Sequence, residues 1–97
     1  MVTNVIEKIS LNTSTIQKPV PRYKVLLHND DFNPMDYVVQ ILMQTISGIT
    51  RPQAAEIMME AHMNGTALVI TCAFEPAEFY CETLKNHGLI STIEPDL

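Results

Sequence analysis

The chain has 97 residues, 46% of them hydrophobic, which suffices for one small domain with a modest core and leaves no room for a second. Six Lys and Arg residues against eleven Asp and Glu residues give a formal net charge of −5. This acidity argues against nucleic acid as a partner, because binding to phosphate backbones is driven by positive charge. The sequence has no stretch close to the ~20 apolar residues that a transmembrane helix needs, so we expect no membrane partner.

The N-terminal residues and the cysteines indicate the domain organisation and the compartment. Residues 1–19 are rich in Ser, Thr and Asn and lack apolar periodicity, which is typical of a flexible extension. We expect the folded core domain to span residues 20–97. Cys72 and Cys81 fit reduced, mostly buried thiols better than a disulfide framework. Because no apolar segment of the secretory type precedes them, we expect a cytoplasmic location.

The first half of the core is predicted to form a strand and two helices. An apolar, β-branched run begins at Arg22 and predicts a strand that ends near His28. For the first helix we expect Asn33 as the N-cap, followed by Pro34 at the first helical position, and an end at Ser47-Gly48. A second helix follows, with Thr50 and Gln53 as its capping box and Asn64-Gly65 at its end.

The second half is predicted to form two strands around a third helix. Residues 66–72 predict a well-buried strand, and the third helix opens at Glu75-Pro76. Gly88 fits the left-handed position after that helix, and residues 89–93 predict a short last strand. The order β-α-α-β-α-β favours an α+β sandwich, in which three helices cover a three-stranded antiparallel sheet.

Two polar segments lie where predicted elements end, and each has an ordinary interpretation. Asn29-Asp30-Asp31 follows the first strand, where Asn and Asp commonly form turns with their own backbone. His62 lies near the end of the second helix, where a hydrogen-bonded histidine suits the helix dipole. If the two segments meet, an imidazole, an amide oxygen and carboxylates would face a hollow lined by methionines. Such acceptors match a primary ammonium, for example the free amino terminus of a polypeptide.

Two motifs carry a resemblance to a known family. They are Asn-Asp-Asp-Phe-Asn-Pro-Met at residues 29–35, and Met58 followed by His62 and Gly65. In this order and separation they resemble the ClpS family, the adaptors of the Clp protease that recognise N-degrons. The resemblance covers residues 21–94, and residues 88–95 are similar to the cyanobacterial and plastid branch. It implies a non-catalytic adaptor without cofactor or metal, which delivers its substrates to a Clp AAA+ unfoldase.

The resemblance also implies roles for individual residues. The substrate α-amino group would be bound by Asn29, Asp30, Asp31 and His62. The hydrophobic pocket would be lined by Met35, Val38, Met58, Ala61 and Leu89. Met35 would act as a gatekeeper against β-branched residues, so that substrates begin with Phe, Tyr, Trp or Leu. Ala61 stands where many relatives carry valine, which leaves the preference among these four residues open.

Docking of the unfoldase would involve Glu75 and Tyr80. Tyr80 stands where enterobacterial relatives carry a basic residue, which leaves the identity of the unfoldase open. The resemblance to the cyanobacterial and plastid branch favours an unfoldase of the ClpC type over ClpA.

Two other classes of function compete with the adaptor. The same small α+β sandwich occurs in the C-terminal domain of the ribosomal stalk protein, so a generic protein-interaction module is an alternative. A metal-dependent hydrolase would use Asp30, Asp31 and His62 as ligands, with His28 as a further candidate. We disfavour it, because adjacent residues at a strand end point apart and no H-E-x-x-H or EF-hand motif is present.

Overall fold

The computed structural model describes residues 20–97 of the chain. The strands are β1 (Arg22–His28), β2 (Thr66–Ala73) and β3 (Ser91–Pro95), and the helices are α1 (Met35–Thr45), α2 (Arg51–Asn64) and α3 (Phe74–Asn86). This order confirms the predicted α+β fold. The predicted flexible extension at residues 1–19 lies outside the described residues and stays a prediction. In the described part of the chain, no helix has both the length and the hydropathy to cross a membrane.

Over residues 20–97 the sheet is three-stranded and antiparallel, with β1 between β2 and β3. The pairing of β1 with β2 runs from Arg22 opposite Ala73 to His28 opposite Thr66. The first end of β1, its N-terminal end at Arg22, therefore lies beside the start of α3. Its last end, the C-terminal end at His28, lies beside the turn that follows α2. Residues at each end of β1 line a concave surface.

The core lies between the helices and one face of the sheet. In β1 the buried residues are Val25 and Leu27, and the residues between and beside them are only half-buried. This alternation places one face of the strand against the helices and leaves the other toward solvent. The buried cluster comprises Val25, Leu27, Val38, Val39, Ile41, Leu42, Ala54, Ala61, Ala67, Ala77, Leu84 and Leu89.

The caps of α2 and α3 confirm the local predictions. The Thr50 side chain accepts a hydrogen bond from the backbone N–H of Gln53 at 3.2 Å, and the Gln53 side chain accepts one from the Thr50 N–H at 2.9 Å. After α3, the backbone N–H of Leu89 donates to the Leu84 carbonyl at 3.1 Å, and Gly88 has a φ of 88°. This is a Schellman motif, which turns the chain sharply and packs the residue after the glycine against the helix.

The N-terminus of α1 differs from the prediction. Pro34, not Asn33, is the N-cap, with an extended backbone, and its carbonyl accepts from the Val38 N–H at 3.1 Å. The Asn33 side chain points elsewhere and donates to Asp30 and to the Gly88 carbonyl. The predicted capping role of Asn33 was wrong because its amide has found two acceptors outside the helix.

The strand β2 is less buried than predicted. Of its residues only Ala67 is buried, and Leu68 is 46% exposed. β2 lies at one side of the sheet of the described chain, and helices cover a single face of it, so half of its apolar residues have no layer above them. Consistent with this, Cys72 is half-buried whereas Cys81 is buried, and both are free thiols.

The last strand begins two residues later than predicted. Leu89 and Ile90 connect α3 to β3 and are not part of the strand. The Schellman turn directs Leu89 into the core, where it is buried, and that position cannot also pair with β1.

Candidate functional site

A pocket opens where the last end of β1, the start of α1 and the final turns of α2 meet. It encloses about 330 Å³ of empty space, part of which is open to solvent. The lining residues are Leu27, His28, Asn29, Asp30, Asn33, Met35, Val38, Met58, Ala61, His62 and Leu89.

Most of the residues predicted for the site lie in this lining. All the predicted apolar residues contribute, namely Met35, Val38, Met58, Ala61 and Leu89, and so do the predicted polar residues Asn29, Asp30 and His62. Asp31 is exposed and does not belong to the lining. The fold therefore brings the two polar segments together beside one hollow. The contacts of these residues with a ligand stay a prediction.

Backbone hydrogen bonds hold the polar segments at the same rim. The N–H of Asn29 donates to the carbonyl of Gly65 at 3.0 Å, and the N–H of His28 donates to the carbonyl of Ile90 at 2.9 Å. Gly65 ends α2 with a φ of 92°, so the chain reverses only three residues after His62. Because this conformation is strained for other residues, Gly65 allows β1 to be tethered directly beside the last turn of α2.

Asp30 stabilises the loop at the rim. One oxygen of its carboxylate accepts from the backbone N–H groups of Phe32 at 2.7 Å and Asn33 at 3.3 Å, and the other accepts from the Asn33 side chain. Partial burial raises the pKa of the Asp30 carboxyl, but these three hydrogen bonds outweigh burial and hold the pKa below its usual range. The rim therefore carries the negative charge of the Asp30 carboxylate, and both carboxylate oxygens already accept hydrogen bonds from the loop.

The side chains of Asn29 and His62 are exposed at the pocket. Neither makes a hydrogen bond to a residue in the range 20–97. An amide oxygen and an imidazole nitrogen are therefore available to accept from a ligand at the same rim where Asp30 supplies negative charge. Over that same range, the His, Cys, Asp and Glu side chains form no group of three that could hold a metal ion.

The apolar residues of the pocket differ in solvent exposure, which increases from the floor to the mouth. Val38, Ala61 and Leu89 are buried, Met58 is half-buried, and Met35 is 45% exposed. The floor belongs to the core, whereas the exposed methionine lies at the entrance. A flexible methionine side chain there can adapt to the shape of an apolar group that enters.

Three residues of the lining were not among those predicted for the site: Leu27, His28 and Asn33. Leu27 could have been found, because it is on the same face of β1 as the buried Val25 and directly precedes the rim. His28 follows it, and its Nε2 lies 2.7 Å from the hydroxyl of Thr92 on β3. Asn33 gave no local signal, because its partner Gly88 is far away in the sequence.

A second surface lies at the first end of β1. It is an open groove lined by Val20, Pro21, Tyr23, Ala73, Phe74, Glu75 and Pro76. Glu75 is exposed in the first turn of α3, and no residue in the described range 20–97 forms an ion pair with it. The rings of Tyr23 and Phe74 pack edge to face, with their centroids 5.1 Å apart. Tyr80 lies further along α3, half-buried against the core.

The fold is a small α+β domain with a pocket at one end of its sheet, and comparison with known proteins identifies its family. The family model for "ATP-dependent Clp protease adaptor protein ClpS" matches residues 18–92. The chain is 71% identical over 84 residues to the ATP-dependent Clp protease adapter protein ClpS of Synechococcus elongatus, a match that covers 87% of this chain and 88% of that protein. It is 52% identical over 80 residues to the chloroplastic adapter protein CLPS1 of Arabidopsis thaliana, covering 82% of this chain and 50% of that protein.

A solved structure, that of Agrobacterium tumefaciens ClpS2 bound to L-phenylalaninamide, is also similar. It shares 32% sequence identity with a TM-score of 0.73 and covers 80% of this chain and 100% of that chain. The chain belongs to the ClpS family. It is thus an adaptor of the Clp protease in protein degradation and not an enzyme. Family membership favours the adaptor over both the ribosomal module and the hydrolase.

Proposed function

We propose that the pocket binds the free amino-terminal residue of N-degron substrates, with the rim holding the α-ammonium group and the floor taking the side chain. The observation that carries this proposal is that Asn29 and His62, from distant segments, line one small pocket together with apolar side chains. The ligand of the Agrobacterium relative, L-phenylalaninamide, combines a free α-amino group with an aromatic side chain.

The rim supplies what an ammonium group requires. An ammonium has three N–H donors and one positive charge, and the Asn29 amide oxygen and a His62 ring nitrogen can accept two of the donors. The Asp30 carboxylate contributes its negative charge to this rim, while three of its acceptor sites are used by the loop. Asp31 is exposed beside this rim, and we assign it a contact through water.

The floor supplies affinity and selects bulky side chains. Burying a Phe or Leu side chain contributes roughly 1.5 to 3 kcal/mol from apolar area. Met35 at the mouth is proposed to exclude β-branched residues, which leaves Phe, Tyr, Trp and Leu as preferred first residues. The small Ala61 widens the floor beside Met58 and Leu89, which favours the larger aromatic residues of this set.

Three peptides that differ only at the first residue test both parts of the site. A Phe-initiated peptide should bind in a fluorescence anisotropy titration. Its acetylated twin lacks the charge and leaves the rim acceptors unpaired, and should lose roughly 1 to 3 kcal/mol or more. An Ala-initiated peptide keeps the amine and should lose roughly 1.5 to 3 kcal/mol of burial. Equal binding of the free and acetylated peptides would contradict recognition of the amine.

We further propose that Glu75, with Tyr80, docks a Clp AAA+ unfoldase of the ClpC type. The support is the exposed carboxylate of Glu75 beside an apolar groove, away from the pocket, and the high identity to a cyanobacterial adaptor. Purified ClpC and ClpA should be compared for binding to the full chain and to Glu75→Lys. Glu56→Lys makes the same charge change on α2 and serves as the control. Equal binding of ClpC to the parent chain and Glu75→Lys would refute this docking site.

The cytoplasm is the location that we propose, because free thiols at Cys72 and Cys81 suit a reducing compartment. The Arabidopsis relative is named as chloroplastic, so the plastid is the alternative for a relative of this branch. Localisation of the tagged full chain by microscopy distinguishes the two.

A further inference from the structure

We infer that Asn33 and Tyr37 are positioning residues that fix the Leu89 wall of the pocket and thereby tune selectivity for the first side chain. The inference rests on the proposed function of the pocket. Neither residue needs to contact the substrate for this role. Both act through the turn at His87 and Gly88, which lies between α3 and β3.

The turn is held from the side of α1 by two hydrogen bonds. The Tyr37 hydroxyl donates to the His87 carbonyl at 2.8 Å. The Asn33 side-chain amide donates to the Gly88 carbonyl at 2.9 Å. Leu89 is the next residue, only 4% exposed, and it lines the pocket. The carbonyls of His87 and Gly88, which directly precede Leu89, therefore accept hydrogen bonds from the segment around Met35 at the pocket mouth.

These bonds add a restraint that α3 alone does not provide. The Schellman motif fixes the turn to the helix through N–H groups, since the N–H groups of Gly88 and Leu89 donate to Lys85 and Leu84. The carbonyls of His87 and Gly88 are not used in that motif, and they accept hydrogen bonds from Tyr37 and Asn33 instead. Without these donors, the turn would keep its hydrogen bonds to α3 but lose those to Asn33 and Tyr37.

The same network connects the wall to the rim. The Asn33 amide donates one hydrogen to the Gly88 carbonyl and one to the Asp30 carboxylate. Asp30 also accepts from the backbone of the rim loop at Phe32. A continuous chain of hydrogen bonds thus runs from the loop next to Asn29 to the residue before Leu89. The rim loop beside Asn29 and the wall at Leu89 are thus connected through the side-chain amide of Asn33.

Asn33→Ala and Tyr37→Phe test the inference, with Asn86→Ala as a control. Asn86 is exposed one residue before the turn, and within residues 20–97 its side chain makes no hydrogen bond. Affinities for Phe-, Leu- and Trp-initiated peptides should be measured for each variant, with unfolding monitored in parallel. Loss of one hydrogen bond corresponds to a change of about 3- to 10-fold. We expect Asn33→Ala and Tyr37→Phe to change the affinity ratios among the three peptides by such a factor. Asn86→Ala should not.

A double-mutant cycle with Leu89→Val separates positioning from a general loss of stability. If Asn33 acts through Leu89, the two substitutions should be non-additive for binding of the Phe peptide. A purely structural role would lower the unfolding midpoint while leaving the affinity ratios of the folded protein unchanged, and that result would overturn the inference. Tyr37→Phe removes a single hydroxyl, so it keeps the test valid if Asn33→Ala fails to fold.

The acetylated Phe peptide keeps the two proposals apart. If the parent chain does not distinguish free from acetylated peptide, the proposed function has failed, whatever the variants do. If the parent does distinguish them but Asn33→Ala and Tyr37→Phe keep its affinity ratios, only the positioning role is refuted.

Discussion

The two ends of β1 carry surfaces of opposite kinds. At the last end, a partly enclosed pocket is built from the strand end, two helices and the turn after α3, with Asn29 and His62 at its rim. At the first end, an open groove is built from residues 20–23 and 73–76, with Glu75 exposed beside it. A strand rises about 3.4 Å per residue, so the seven residues of β1 separate the two by about 20 Å.

We propose that this difference separates substrate capture from unfoldase docking. The pocket depends on contacts between distant segments and has little empty volume, which suits one defined chemical group. The groove is more open to solvent, which suits a contact with a larger protein surface. Because the sheet separates them, a substitution at one end should leave the other function intact, and several substitutions can test or sharpen this separation.

The largest effect is expected from placing a positive charge at the rim, where the ammonium group of the substrate is proposed to bind. His62→Lys replaces an acceptor with a cation facing the ammonium, and should weaken binding of a Phe-initiated peptide about 100-fold or more. Glu75→Lys should leave this affinity unchanged and reduce binding to the unfoldase. His62→Gln keeps an acceptor and should lose far less. Peptide anisotropy and unfoldase pull-down on all three variants measure this, and parallel losses in both assays would contradict the separation of the two ends.

The next effect concerns the floor of the pocket. Met58→Ala removes a half-buried side chain that packs on the core and lines the pocket, and should cost about 2 kcal/mol in unfolding free energy as well as affinity for the Phe peptide. Met59→Ala is the matched control, since Met59 is 41% exposed and does not line the pocket. Chemical denaturation and anisotropy should be run on both. Similar losses of stability and of peptide affinity in the two variants would contradict a role of Met58 in the pocket.

A smaller effect distinguishes the turn beside the pocket from a similar turn elsewhere. Gly48 and Gly88 have nearly the same φ, 84° and 88°, and neither would bring an added Cβ into a clash. Alanine at either position should cost about 1 to 2 kcal/mol, because a left-handed conformation is unfavourable for a residue with a Cβ. Only Gly88→Ala should also change peptide affinity, since Gly88 precedes Leu89. Equal affinities of the two variants for the Phe peptide would count against the coupling of this turn to the pocket.

The smallest effect is a pH dependence of stability that comes from Asp30. Its folded-state pKa is lowered from 3.8, so its ionised form stabilises the fold above that value. This contribution is lost as the pH falls through 3.8 and then through the lower folded-state pKa. The stability difference between the parent chain and Asp30→Asn should therefore be larger at about pH 6 than at about pH 3. A difference that does not vary with pH would show that the rim loop does not depend on the charged carboxylate.

Local signals made much of the fold predictable. The capping box of Thr50 and Gln53 and the glycine turn at Gly88 are formed by residues close in sequence, and both appeared as predicted. The exposure of Leu68 could not be predicted, because it depends on the order of the strands in the sheet. The first residue of β3 was missed for a similar reason, since burial of Leu89 in the core competes with pairing to β1.

For the site, the residue types were predictable and their assembly was not. Asn29 and His62 each had an ordinary local interpretation, and only the resemblance to the ClpS family indicated that they share a pocket. Their proximity comes from the tether between Asn29 and Gly65, a contact between distant segments. The bond from Asn33 to Gly88 spans 55 residues, which is why a capping role was predicted for Asn33 instead.

The most direct test of the account is an NMR titration of the full chain with L-phenylalaninamide, with its N-acetylated form as the control. The free amine should shift the backbone amides of Asn29, Met35 and Leu89 in a saturable way and leave those around Glu75 unchanged. The acetylated form should shift none of them at the same concentration. Shifts concentrated at residues 73–76, or equal shifts with both compounds, would contradict a single pocket that recognises a free amino terminus and its side chain together.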